Sequence, residues 1–154
     1  MTAAGEIASG KELTRLRRKG RRMVFTPDNR TLIIGGEDAE QQSEITFIDT
    51  ATWQDTIVQR GHGNWVVTLA LTPDGKQLAS GSSDRTIKLW DLNRIREAVF
   101  IDDSQRKWGG FTQVVLTPDG KRLLTGQELQ SATVWDVATR KEIMTLCVRA
   151  PRRD

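Results

Sequence analysis

His62 is the only histidine in a chain of 154 residues, and it stands 18 positions before Ser80 and 22 before Asp84. Serine, histidine and aspartate are the residue types of a hydrolase triad. There the imidazole takes the hydroxyl proton and the carboxylate orients the ring. In one large class of such enzymes the serine sits on a sharp exposed turn of the form Gly-x-Ser-x-Gly, and the sequence has no such segment. Metal ligation fares no better. One histidine and one cysteine, Cys147, far apart in sequence, make no ligand cluster at the usual spacings. Neither a Gly-x-x-x-x-Gly-Lys-Ser/Thr loop nor a Gly-x-Gly-x-x-Gly turn occurs. The expectation is no catalytic residue, no cofactor and no metal.

The elements that would position these residues come in copies. The segment FTPDNRTL (25–32) recurs as LTPDGKQL (71–78) and LTPDGKRL (116–123), with the threonines spaced 46 and 45 residues apart. That period suits a unit of four short strands. In the middle copy, residues 65–72 form an apolar, β-branched run. Pro73, Asp74 and Gly75 make a turn, because proline suits its second position and glycine its last. Strands are predicted at 77–83 and 86–92, joined by Asp84 and Arg85, with an outermost strand at 96–101. The first copy repeats the plan with Asn29 in place of the turn glycine, and asparagine is the side chain that best tolerates positive φ. Its hairpin is longer by the polar segment 37–44. The third copy runs from 111 to 146 on the same plan. Ahead of all three, ASGKELTRL (8–16) matches ATRKEIMTL (138–146) position by position. The leader therefore reads as the outer strand of a blade whose other strands are missing, with nothing to pair against.

In the middle copy Gly61-His62 opens the unit. Ser80-Gly81-Ser82 lies in the second strand, Asp84 in the next turn, and Trp90-Asp91 closes the third strand. This order and spacing resembles a complete WD repeat, and the resemblance extends from about residue 8 to 146. It implies an all-β fold, a partial β-propeller of consecutive four-stranded antiparallel blades, about three blades plus one orphan strand. The whole chain would be one WD-repeat region. Its parts are the outer strand at 8–16, blades at 21–60, 61–101 and 107–148, and a basic tail at 149–154. The resemblance also implies a buried structural tetrad of His62, Ser80, Asp84 and Trp90, with Ser82 as the alternative to Ser80. The outer copies depart from it. Lys107 and Leu129 take the His and Asp positions of the third copy. Leu16 and Ile48 take the His and Trp positions of the first. Both blades are expected to rely on apolar packing.

Function then follows from the resemblance: a non-catalytic scaffold binding a protein or peptide. The face implied is formed by loops that lead into each first strand and hairpins that follow each second strand. It carries Arg18, Lys19, Asn64, Trp65, Ser83 and Glu128. Net charge is +3, and the basic residues cluster at Lys11, Arg15, Arg17, Arg18, Lys19, Arg21 and Arg22. That cluster favours an acidic partner, with nucleic acid or another polyanion as the alternative. The sequence has no apolar run of membrane-spanning length and no apolar N-terminal leader, so a cytoplasmic address is expected. Three blades are too few for an ordinary closed ring of four to eight. Two resolutions stay open: a fragment of a longer repeat protein, the preferred one, or self-association. The faces expected to lie open carry Ile33 and Ile45 at one end, Val134 and Ile143 at the other.

Overall fold

Three copies of one turn set the frame. In each, the fourth residue donates its backbone N–H to the threonine carbonyl: Asn29 to Thr26, Gly75 to Thr72 and Gly120 to Thr117, at 2.8–2.9 Å. The threonine hydroxyl donates to the turn aspartate at 2.6 Å in every copy, to Asp28, Asp74 and Asp119. The fourth residue lies in the left-handed region, with φ of 58° at Asn29, 70° at Gly75 and 67° at Gly120. Each turn thus reverses the chain and pairs the strands on either side of it.

The computed structural model describes residues 2–5, 12–16, 19–37, 42–94, 98–102, 111–127 and 131–147. The strands are β1 (Thr2–Gly5), β2 (Glu12–Leu16), β3 (Lys19–Phe25), β4 (Thr31–Glu37), β5 (Ser43–Asp49), β6 (Asp55–Arg60), β7 (Val66–Leu71), β8 (Gln77–Ser82), β9 (Thr86–Asp91), β10 (Ala98–Asp102), β11 (Phe111–Leu116), β12 (Arg122–Gln127), β13 (Ser131–Asp136) and β14 (Glu142–Cys147). Among the described residues β3–β6, β7–β10 and β11–β14 each form a four-stranded antiparallel sheet in sequence order. The protein is all-β, a series of propeller blades. The first strand of each blade carries a β-bulge, between Gly20 and Arg22, Val66 and Thr68, and Phe111 and Gln113. An extra residue there bends the strand and increases its twist.

The core lies between blades. Because side chains alternate along a strand, each sheet offers an apolar row to the blade on either side. Ile33, Ile45 and Phe47 of blade one pack with Val66, Leu78 and Trp90 of blade two. Ala79, Ile87, Leu89 and Ile101 of blade two pack with Val114, Leu116, Leu123 and Trp135 of blade three. Strand β7 lies against β3 and β4, and β11 against β7 and β8. Gly35 permits the first approach: a Cβ there would stand 2.6 Å from Cγ1 of Val66.

Two expectations change. The leader strand is not unpaired, since β2 forms an antiparallel pair with β1, Thr2 opposite Leu16 and Ala3 opposite Arg15. Residues 2–5 are short, small and weakly patterned, so they give no strand signal. Ile33 and Ile45 do not lie open either; they are 0% and 1% exposed. The period of two turns them toward blade two. The opposite face of blade one carries Met23, Phe25 and Val58, each about half exposed, around the buried Leu32, Ile34 and Ile48. At the other end Val134 is half-buried and Ile143 exposed.

Candidate functional site

The middle blade brings His62, Ser80, Asp84 and Trp90 together. The His62 Nδ1 lies 3.0 Å from Asp84 Oδ2, and Nε2 lies 2.8 Å from Ser80 Oγ. The Trp90 indole N–H donates to Ser80 Oγ at 2.9 Å. Donor counting fixes the roles. The Asp84 carboxylate can only accept, so Nδ1 carries the ring proton and donates to it. Nε2 of the neutral ring then accepts from the Ser80 hydroxyl, whose oxygen takes the indole N–H, which assigns the tautomer from the network. Asp84 also takes the backbone N–H of Gly63 at 2.7 Å and of Thr86 at 2.8 Å. Ser82 does a different job: its hydroxyl donates to the Asn64 carbonyl and accepts from the Asp84 N–H. Burial alone would push the Asp84 carboxyl up, but the hydrogen bonds from His62 and Thr86 hold it well below the usual carboxylate range.

The distances of this set match a hydrolase triad, but Ser80 is 0% exposed. The indole N–H occupies its oxygen, and no substrate carbonyl can reach it. The network ties the segment leading into β7 to the interior of the sheet. Lys88 adds a further tie. Its ammonium donates to the Gly61 carbonyl at 2.6 Å and lies 5.9 Å from the Trp90 ring centroid. Burial lowers its pKa, opposed by the Asp84 carboxylate.

Outside the blade interiors, one exposed cluster stands at the junction of blades one and two. The Arg21 guanidinium lies over the Trp65 ring, 4.2 Å from its centroid. Arg21 occupies the bulge of β3, and Trp65 directly precedes β7. The Trp65 N–H is taken by the Asn64 side chain at 2.7 Å, and the Trp65 carbonyl accepts from the Ser83 N–H at 3.0 Å. The structure therefore brings Asn64, Trp65 and Ser83 together. Lys19 is paired by its backbone with Glu37, whereas Arg18 and Glu128 lie outside the described residues. Among the described residues no group of acidic, histidine or cysteine side chains is placed to hold a metal ion. No described helix is long and apolar enough to cross a membrane.

Comparison with known proteins agrees with this architecture. Residues 53–91 match the WD40 family model, described as WD domain, G-beta repeat. That segment carries a WD repeat, and the chain as a whole is similar to WD-repeat β-propeller proteins. It is 41% identical to the protein Notchless of Drosophila melanogaster over 69 residues, covering 41% of this chain and 14% of that protein. It is 36% identical to the pre-mRNA-splicing factor prp46 of Emericella nidulans over 85 residues, covering 54% of this chain and 18% of the relative. The chain thus spans less than a fifth of the length of either of these relatives. Among solved structures, that of U3-55K superposes with a TM-score of 0.74 at 20% identity, covering 88% of this chain and 41% of the other. The WD40 repeats of RRP9 give a TM-score of 0.73 at the same identity and coverage.

Blade three keeps part of the network and blade one replaces it with apolar side chains. In blade three the Trp135 indole N–H donates to Thr125 Oγ1 at 3.1 Å, so this blade does not rest on apolar packing alone. Thr125 stands at the Ser80 position, and a threonine hydroxyl accepts as well as a serine hydroxyl does. Lys107 and Leu129 fall outside the described residues. In blade one Leu32, Ile34 and Ile48 form an apolar cluster with Leu16 and Trp53 packed against it. Here Leu16, Ile34 and Ile48 stand where His62, Ser80 and Trp90 stand in blade two.

Sequence reading missed two residues. Arg21 appeared only as one of a basic run. Its signal was the equivalence to the bulge residue Val67, five positions before the turn threonine. Thr125 was legible from the eight-residue spacing after Thr117, had the polar network been sought in pieces.

Proposed function

We propose that this WD-repeat chain is a non-catalytic scaffold and binds an acidic protein segment at the junction of blades one and two. The observation that carries the reading is the exposed Arg21 guanidinium stacked over the exposed Trp65 ring. Stacking holds the guanidinium in place on the apolar ring, and no hydrogen bond joins its N–H groups to another described residue. Planar guanidinium groups suit bidentate pairing with carboxylates. Asn64 and Ser83 lie beside it, and the basic segment ahead of β3 adds charge of the same sign. Non-catalysis rests on Ser80, whose hydroxyl is buried and bonded on both sides. The expected address is cytoplasmic.

Isothermal titration with a peptide rich in Asp and Glu, against a neutral peptide of the same length, tests this. Binding should favour the acidic peptide, weaken with salt, and fall about tenfold in Arg21→Ala or Trp65→Ala, the loss typical of an interface anchor. Equal binding of both peptides would overturn the reading. A single-stranded RNA probe in the same assay tests the nucleic-acid alternative, toward which the splicing role named for prp46 points. Tighter binding of RNA than of acidic peptide would favour it.

A further inference from the structure

The backbone that carries Trp65 has its polar groups taken one after another. The Gly63 N–H goes to Asp84 Oδ2 at 2.7 Å. The Asn64 carbonyl accepts from the Ser82 hydroxyl at 2.8 Å. The Trp65 N–H is held by the Asn64 side chain, and the Trp65 carbonyl accepts from the Ser83 N–H. Val66 follows with no exposed surface. These bonds fix the direction in which the Trp65 side chain leaves the chain.

Ser82 is the joint of this arrangement. Its oxygen accepts the Asp84 N–H at 3.1 Å while its proton goes to the Asn64 carbonyl. One buried hydroxyl thereby joins the hairpin after β8 to the segment entering β7. Ten residues beyond each turn threonine the three blades carry Gly36, Ser82 and Gln127, and seven residues before it they carry Lys19, Trp65 and Gly110. The hydroxyl and the exposed ring therefore occur together, in blade two. An exposed tryptophan and an exposed arginine each lose rotamer freedom when a ligand orders them, and a site ordered in advance avoids that cost. The Arg21 guanidinium, 4.2 Å from the Trp65 ring centroid, makes such an ordered pair.

We infer that Ser82 is a positioning residue for the acidic segment. It is 0% exposed and touches no ligand. It sets affinity by holding the backbone of residues 64 and 65, and through it the stack of Arg21 on Trp65. The inference rests on the reading of that stack as the binding site.

Two readouts on the full chain test it: titration with the Asp- and Glu-rich peptide, and the NMR resonance of the Arg21 side-chain N–H. Protons over the face of an aromatic ring are shielded, so this resonance lies upfield while the stack is formed, and Trp65→Leu should return it to its ordinary position. Ser82→Ala should weaken peptide binding by about three- to tenfold, the loss expected when two side chains must be ordered by the ligand. It should also move the Arg21 resonance part of the way downfield. Thr125→Val is the structural control. It strips the Trp135 indole of its acceptor in blade three, remote from residues 63–65 in sequence, and should change neither readout. If Ser82→Ala melts below the titration temperature, Ser82→Cys replaces it, since a thiol fills the site but is a weak donor. Wild-type affinity or an unmoved Arg21 resonance in the Ser82 variant overturns the inference, while a loss in Arg21→Ala leaves the binding site standing. An equal loss in Thr125→Val also overturns it, because the effect is then general destabilisation. If Arg21→Ala and Trp65→Ala both bind the peptide as wild type does, the site itself is wrong and the role of Ser82 falls with it.

Discussion

The Trp135 indole N–H meets the Thr125 hydroxyl at 3.1 Å, across the two strands that in the preceding blade bring Trp90 to Ser80. Blade three keeps this bond without a described imidazole beside it. In blade two the serine hydroxyl also engages His62, which in turn engages Asp84. The difference between the blades is therefore the coupling and not the presence of an indole bond.

Removal of the imidazole should cost more than the loss of one contact. His62→Ala leaves Ser80 and Asp84 inside the blade with a partner missing, and should destabilise the protein by about 1–3 kcal/mol. His62 and Trp90 share the Ser80 oxygen, so His62→Ala and Trp90→Phe should be non-additive. His62→Ala and Trp135→Phe lie in separate networks and should add. Chemical denaturation of the single and double variants gives the comparison. Native-state hydrogen exchange should be slowest in Gln77–Ser82.

Acid should loosen the same blade. The Asp84 carboxyl titrates below its ordinary value of 3.8, so across that interval the unfolded chain binds a proton that the folded chain does not. Stability then rises with pH there. The contribution is complete above the unfolded value and is lost as pH falls from 3.8 through the depressed folded value. Asp28, Asp74 and Asp119 are shifted the same way by their threonine hydroxyls and add to the slope. Thermal melts between about pH 5 and about pH 2 should show a steep fall in wild type. Asp84→Asn should be less stable at neutral pH and show a shallower fall.

The turns predict an asymmetry between residues that look alike. Gly120 has φ of 67°, and a Cβ there would lie 3.0 Å from the Gln77 side chain. Gly120→Ala should destabilise by about 1 kcal/mol. Asn29 holds φ of 58° already, so Asn29→Gly removes strain while adding unfolded-state entropy, and should change stability by a few tenths of a kcal/mol. Melting temperatures of the two variants should separate clearly.

How far the sequence reached depends on which residues carried two signals at once. Thr72, Pro73, Asp74 and Gly75 combine turn chemistry with an internal repeat, so strand order and sheet membership were legible in all three blades. His62, Ser80, Asp84 and Trp90 were legible because a family pattern reinforced their spacing, yet spacing alone left Ser80 and Ser82 open. The choice depends on which hydroxyl faces the indole. Ser80 and Ser82 share one face of β8, so alternation does not separate them. Strand β1 was invisible because four small residues carry no period. The mistaken exposure of Ile33 arose because alternation identifies a face but not its neighbour. The packing of Val66 against Gly35, within the cluster of Ile33, Phe47, Leu78 and Trp90, shows which side of blade one meets blade two.

That packing yields the last prediction. A Cβ on Gly35 would stand 2.6 Å from Val66 Cγ1 and 3.3 Å from Leu69 Cδ1. Val66 is 0% exposed, so it has no room to withdraw. Gly35→Ala should therefore overpack the interface of blades one and two and destabilise by about 1–3 kcal/mol. Val66→Ala alone should leave a cavity and cost a comparable amount. The added methyl of Gly35→Ala points into the space that Val66→Ala vacates, so the double variant should be more stable than the sum of the two losses. Denaturant midpoints for the four proteins of the cycle measure the coupling directly. Simple additivity would mean that the two residues do not touch, and that the blades meet in some other register.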